Sequence, residues 1–267
     1  MRLRIYAIIG LIIYCLTLSG CASSNDIGPK REVSEYSEKT LKVEQLLELG
    51  LISDSGDIEV YTWDKDMVKF EITKIIRGTK DSADLEKKLK DFNISVSQDQ
   101  AKVALKCEYK GDIKSQSDRR VDLKIYIPKK IKSIDYKIDT GNIKFLDDIK
   151  GELKGDTNMA NVDINRFEGQ ISLKGSMGNV NIANGKISGN SSITEDMGSI
   201  SVKSGFEDNG SYAFAVNIGN IDLKLPSDSH ISFESVGQLE INEFPDAAYP
   251  AKMKLSSGMG KISIRRY

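Results

Sequence analysis

The chain reads as an all-β protein, a parallel β-solenoid (β-helix-like) with rungs of about 20 residues behind an N-terminal β cap that carries one short helix. Three observations predict this. A small residue returns at Gly141, Ala160, Gly178, Gly198, Gly219, Gly237 and Gly260, at spacings of 19, 18, 20, 21, 18 and 23 residues, the range of solenoid repeats. Two and four places after each anchor stand Ile143/Phe145, Val162/Ile164, Val180/Ile182, Ile200/Val202, Ile221/Leu223, Leu239/Ile241 and Ile262/Ile264, all apolar, so each pair lies on one face of a strand. Five of the seven anchors are followed by an amide, Asn142, Asn161, Asn179, Asn220 or Gln238. Stacked side-chain amides hydrogen-bond from layer to layer.

The first segment lies outside that body. Arg2 and Arg4 precede an apolar run from Ile5 to Leu18, shorter than the ~20 residues a spanning helix needs. Residues 1–20 therefore read as an export signal, in preference to a transmembrane helix that happens to contain cysteine. Leu18, Ser19, Gly20 and Cys21 resemble the box of bacterial lipoproteins. That resemblance implies cleavage before Cys21, diacylglycerol on its thiol, N-acylation of palmitate type, and a protein anchored to a membrane and facing away from the cytoplasm. From Cys21 to Lys42 the chain is polar, with Pro29 and several serines, and is expected to be a flexible tether.

Residues 43–267 are expected to form the β-repeat domain, with cap strands and helix over 43–128 and rungs over 129–267. In the cap, Ile58 and Val60, then Val68, Phe70 and Ile72, alternate with polar residues. Asp81 or Ser82 is placed to cap a helix whose Leu85, Leu89 and Phe92 share one face. A hairpin is expected to turn near Gln98–Gln100, and Pro128 should end or edge the strand it closes. In the rungs, Ile134/Tyr136, Ile171/Leu173, Tyr212/Phe214 and Met253/Leu255 mark a second strand, and Ile149/Gly151, Phe167/Gly169 and Ile187/Gly189 a third short element. The anchor residue supplies a corner, either through positive φ or by making room at the bend. A two-sheet β-sandwich is the alternative architecture.

Composition narrows the function. Lys and Arg number 38 against 39 Asp and Glu, and the basic runs are interrupted by acids, which argues against a nucleic-acid partner. Once Cys15 leaves with the signal and Cys21 is lipidated, Cys107 stands alone in an alternating run with Val103, Leu105 and Tyr109. It is read as a small buried hydrophobe, with no disulfide in the mature chain.

The stretch "SGDIEVYTWDKDMVKFEITK", a charged helix, "VDLKIYIPKKI" and "DTGNIKF" together resemble the bacterial putative-adhesin domain of unknown function. This is a β-strand-repeat family of envelope and cell-envelope stress proteins. The resemblance covers about Gly50 to Tyr267 and supplies no catalytic residue. It implies a part in adhesion or envelope stress.

Signals for chemistry are sparse. His230 has no nucleophile elbow or metal-spaced partner, and no phosphate loop or dinucleotide fingerprint is present. Met159, Met177, Met197 and Met259 precede their corners, with Ile218 and Val236 in the same column. A copper-binding methionine ladder is conceivable there, but the aliphatic substitutions favour an inward packing stack, with Met177 facing the core. The acidic pairs Asp64/Asp66, Asp147/Asp148 and Glu195/Asp196 are read as turn residues. A polysaccharide lyase or hydrolase on a β-helix is therefore the alternative function rather than the main one, and a calcium nonapeptide is absent. The expectation is a non-enzymatic, lipid-anchored binding, adhesion or scaffold module without cofactor or metal, or failing that a structural spacer. Its partners are expected to be membrane lipid through Cys21 and a cell-wall or capsule polymer or another envelope protein.

Overall fold

Alternating side chains organise the fold from Leu47–Trp63 (β3) outward. Leu47, Leu49 and Leu51, then Ile58 and Val60, are buried together with Ser53 and Gly56, while the other residues between them face solvent or are half-buried. The computed structural model of the protein describes residues 11–12, 30–111 and 119–267. The expected lipoprotein box, Leu18, Ser19, Gly20 and Cys21, lies outside the described residues.

On one side β3 pairs in parallel with the first part of Ile131–Met177 (β8), Leu49 opposite Ile134, Gly56 opposite Gly141 and Ile58 opposite Ile143. On the other side it runs parallel to Lys102–Tyr109 (β6) and Arg119–Pro128 (β7). Pro128 is the last residue of β7, where its missing N–H costs the ladder nothing. Phe92–Asp99 (β5) closes an antiparallel hairpin with β6, with Gln100 at φ 53° in the turn. The helix spans Ser82–Leu89 (α1). Its N-cap is Asp81, whose carboxylate accepts the Asp84 N–H at 2.8 Å, and Leu85 and Leu89 face the core.

Residues 31–42, expected to belong to the flexible tether over 21–42, are a strand instead. Arg31–Lys42 (β2) is a strand paired antiparallel with Met67–Gly78 (β4) over its whole length, from Arg31 opposite Gly78 to Lys42 opposite Met67. Two residues, Leu11–Ile12 (β1), pair in turn with Tyr36 and Ser37. In β2 only Val33 and Leu41 pack on the core, so its apolar period is faint. Main-chain bonds hold it, with ion pairs from Glu38 to Lys69 at 3.0 Å and from Glu35 to Lys74 at 3.1 Å. A charged strand of this kind is the ordinary solution for a sheet edge.

Beyond the cap the pairings are parallel and nearly in register. Val162 of β8 lies opposite Val180 of Val180–Ile182 (β9), Val180 opposite Ile200 of Ile200–Lys203 (β12), and Ile200 opposite Ile221 of Ile221–Leu225 (β15). A second series runs Leu173, Ile193, Phe214 and Leu255 through β8, Asn190–Met197 (β11), Ser211–Ile218 (β14) and Ala251–Arg266 (β17). In the third element one step slips by two residues, since Phe167 lies opposite Gly185 rather than Ile187, while Gly169 stays seated on Gly151. These inward residues form one continuous apolar core with the cap. The fold is all-β with one short helix, its strands joined in one large mixed sheet.

The chain does not place its last copies in sequence order. Ile262 of β17 lies opposite Ile221, and Ile231–Asn242 (β16) pairs with the far side of β17, Leu239 opposite Ile262. The Gly237 copy is therefore the outermost layer, and the Gly260 copy sits between it and Gly219.

At the corners main chain rests on main chain. Gly198 has φ 148°, and a Cβ there would strike the carbonyl oxygen of Gly178; at Gly178, without positive φ, it would strike that of Ala160. Gly198→Ala is expected to cost about 2–4 kcal/mol in urea unfolding. Gly205→Ala, where a Cβ meets nothing closer than 3.7 Å, should cost less than about 1 kcal/mol. Equal losses at the two positions would contradict this account of the corner.

Candidate functional surface

At each corner the period of two is broken by one residue. Thr157 is buried, Asn158 and Met159 are both exposed, and Ala160 is buried again. This extra outward residue turns the methionine column onto the surface, which corrects the inward packing stack. Met159, Met177, Met197, Ile218 and Met259 are between 41 % and 64 % exposed. Met177 lies opposite Met197, Met197 opposite Ile218 and Ile218 opposite Met259. Met159 continues the column below Met177, because Val162 and Val180 are partners in the same register. Val236 is exposed but lies opposite Ser256, outside the column. An open groove runs between Met159, Met177 and Met197 and the corner residues Ala160, Gly178 and Gly198.

Beside the methionines runs a hydrogen-bonded line. Asn142 Nδ2 donates to Asp57 Oδ1 at 2.7 Å, and Asn161 Nδ2 to Asn142 Oδ1 at 2.8 Å. The Asn179 N–H and Nδ2 donate to Asn161 Oδ1 at 2.9 and 3.2 Å. Asn179 Oδ1 accepts the Ser199 N–H at 2.9 Å, and Asn220 Oδ1 accepts the Lys261 N–H at 2.8 Å. The structure thus brings Asn142, Asn161 and Asn179 into direct contact and sets Asn220 further along the same line. Gln238 lies opposite Lys261 in the outermost layer, two strands beyond Asn220. Of the corner residues, Gly141, Gly198, Gly219, Gly237 and Gly260 have φ between 116° and 149°, whereas Ala160 and Gly178 do not, and at Gly178 the Ala160 carbonyl leaves no room for a Cβ. Gly237 rests against the Ser257 carbonyl rather than on Gly219, as the order of the last two strands requires.

The acidic pairs do not converge. Asp64 pairs with Lys129 at 2.7 Å, Asp147 accepts the Thr62 N–H at 2.8 Å, and Asp148 faces Arg166 at 3.6 Å. Asp196 accepts from Asn217 at 2.9 Å. Glu195 is not a turn residue: it belongs to β11 and is 1 % exposed. Its register partner Gly175 has no side chain, and the Glu195 carboxylate occupies that space. Burial pushes its carboxyl up to about 7, and the neighbouring Asp196 charge adds to the shift. The Tyr136 hydroxyl, seated over Gly155, and Glu195 Oε2 are both buried without a protein hydrogen-bond partner. The signal for Glu195 was present in the alternation, two places after the inward Ile193.

Cys107 is buried, and burial pushes its thiol up to about 12, which leaves almost no thiolate for chemistry. His230 is exposed and meets the Tyr249 ring edge-on at 5.1 Å. Among the described residues no three His, Cys, Asp or Glu side chains gather as a metal set, and no helix is long and apolar enough to cross a membrane.

No family model and no curated protein matches the chain. Solved structures do. A putative cell adhesion protein from Clostridium sporogenes is 13% identical over 88% of this chain and 100% of its own, with a TM-score of 0.37. A putative adhesin from Bacteroides fragilis is 12% identical over 87% of this chain and 97% of its own, with a TM-score of 0.43. A putative lipid binding protein from Parabacteroides distasonis is 13% identical over 87% of this chain and 96% of its own, with a TM-score of 0.31.

Glu195 generates a pH dependence. Its folded-state pKa of about 7 stands above the ordinary 4.5, so between these values the folded chain holds a proton that the unfolded chain has released. Stability is therefore full below the lower value and falls as pH rises through the window, by up to about 3 kcal/mol. Glu195→Gln, neutral throughout, should match the wild type in urea unfolding at pH 4 and exceed it at pH 8. A difference independent of pH would show that the carboxyl ionises normally.

Proposed function

We propose that the chain is a lipid-anchored, non-enzymatic binding module of the bacterial cell envelope, coiled as a β-solenoid. The coil is supported by parallel partners spaced 18, 20 and 21 residues apart, Val162 to Val180, Val180 to Ile200 and Ile200 to Ile221. A two-sheet sandwich does not ordinarily set successive copies in parallel register. The observation that carries the binding reading is the exposed apolar column of Met159, Met177, Met197, Ile218 and Met259 beside the hydrogen-bonded line of Asn142, Asn161 and Asn179. A contiguous apolar strip rimmed by polar groups is the usual mark of an interaction surface, and methionine adapts its shape to what it meets. The partner is a wall or capsule polymer or another envelope protein, and the sequence resemblance implies a setting of adhesion or envelope stress. Anchoring is assigned to Cys21, with residues 1–20 removed and the stretch before β2 serving as the tether.

Two measurements test this reading. Cells fed labelled palmitate should yield labelled wild-type protein and unlabelled Cys21→Ala, and an unlabelled wild type would remove the anchor. Purified protein mixed with isolated wall, capsule and membrane-protein fractions should cofractionate with one of them and release no new reducing or unsaturated ends. Ile218→Asp should weaken that retention by about tenfold or more. New chain ends would make the protein an enzyme, and absence from every fraction would leave it a spacer.

A further inference from the structure

The surface column raises a question that an apolar docking strip does not answer, namely why sulfur recurs in it. On a strand surface, isoleucine and valine are better β formers than methionine, and the column accepts isoleucine at Ile218. Yet Met159, Met177 and Met197 occupy three consecutive layers. Neighbouring strands lie about 4.8 Å apart, and the thioether ends a side chain with three rotatable bonds, so three sulfurs on one face are able to converge on one point. The corner residues beside them, Ala160, Gly178 and Gly198, place no bulk in the groove that the three methionines line.

The oxygen donors nearby are already engaged. Asn161 Oδ1 accepts two bonds from Asn179, Asn179 Oδ1 accepts the Ser199 N–H, and Asp196 Oδ1 accepts from Asn217. What the groove offers without commitment is thioether sulfur. A neutral, soft donor set of this kind selects a soft monovalent ion and discriminates against zinc, which takes thiolate, imidazole or carboxylate, and against calcium and magnesium, which take oxygen. We propose that Met159, Met177 and Met197 form a three-thioether site for one Cu(I) ion or its analogue Ag(I). Ile218 ends the site by interrupting the run of sulfur, which leaves Met259 outside it. The site does not depend on which envelope partner the rest of the surface binds, nor on the lipid anchor.

The test uses the full chain with Cys15→Ser and Cys21→Ser, so that no N-terminal thiol competes; Cys107 is buried and protonated. The protein is titrated with silver nitrate by calorimetry, and with Cu(I) kept reduced by ascorbate against a colorimetric Cu(I) chelator. One ion per chain is expected, with sulfur-only scattering around bound copper in X-ray absorption. Met177→Leu keeps the apolar surface and should leave the melting temperature unchanged while weakening the ion by about tenfold or more. Met259→Leu should bind as the wild type does. The proposal is overturned if neither ion is retained, if Met177→Leu binds as tightly as the wild type, if Met259→Leu weakens binding equally, or if zinc binds as well as silver.

Discussion

The structure depends on one contact, the seating of one layer's corner peptide directly on the carbonyl of the layer below. At Gly198 over Gly178, and Gly178 over Ala160, no Cβ fits between the two main chains. The close approach lets the Gly178 and Gly198 N–H groups donate to the Met197 and Ile218 carbonyls, both at 2.9 Å. Backbone fixes the vertical spacing, so every side-chain position is repeated at the strand distance. Inside, that repetition produces the Leu173, Ile193, Phe214 and Leu255 series; outside, it brings asparagine to asparagine and methionine to methionine. A corner that held larger residues would open the layers and disperse all of these columns together.

Two interior glycines show the same rule from within. Gly155 makes room for the Tyr136 ring, and Gly175 for the Glu195 carboxylate. Each vacancy in one layer is filled by a large or polar side chain from a neighbouring one, so core volume is conserved between layers rather than within them. Glu195 places a carboxyl in an interior column with Gly175, Val216 and Ser257, and its charge is suppressed by burial.

Much of the architecture was legible because it repeats. The β class, the helix with Asp81 as one of its two candidate caps, the β5–β6 hairpin and the end of β7 at Pro128 follow from alternation and local turn chemistry that few tertiary contacts can override, whereas Phe92, expected on the helix face, opens β5. What was not legible depended on how repeats meet. The methionine column keeps the parity of a surface residue only because the corner inserts an extra outward position, which a strict period of two does not contain. Strand β2 was missed because main-chain pairing and ion pairs hold it, and neither leaves an apolar period. The spatial order of the last two layers was hidden because alignment on the anchors assumes that sequence neighbours are spatial neighbours. Glu195 was visible in the parity of its strand and was misread because acidic pairs usually mark turns. The amides Asn142, Asn161 and Asn179 were readable from spacing alone, since a stack in register brings identical offsets together; Gln238 fell away with the displaced layer.

That displaced layer also bears on how the chain is completed. Among the described residues the strand pairings of β16 are all with β17, and β17, the 16 residues Ala251–Arg266, follows it in sequence. During synthesis β16 emerges first and finds no seat on β15, because the place it will border has yet to be made. Strand β17 then takes the place between two segments made before it, joining β14 and β15 on one side and β16 on the other. Strand β17 is in this sense a latch, and this part of the stack closes only once β17 has followed β16 out of the ribosome.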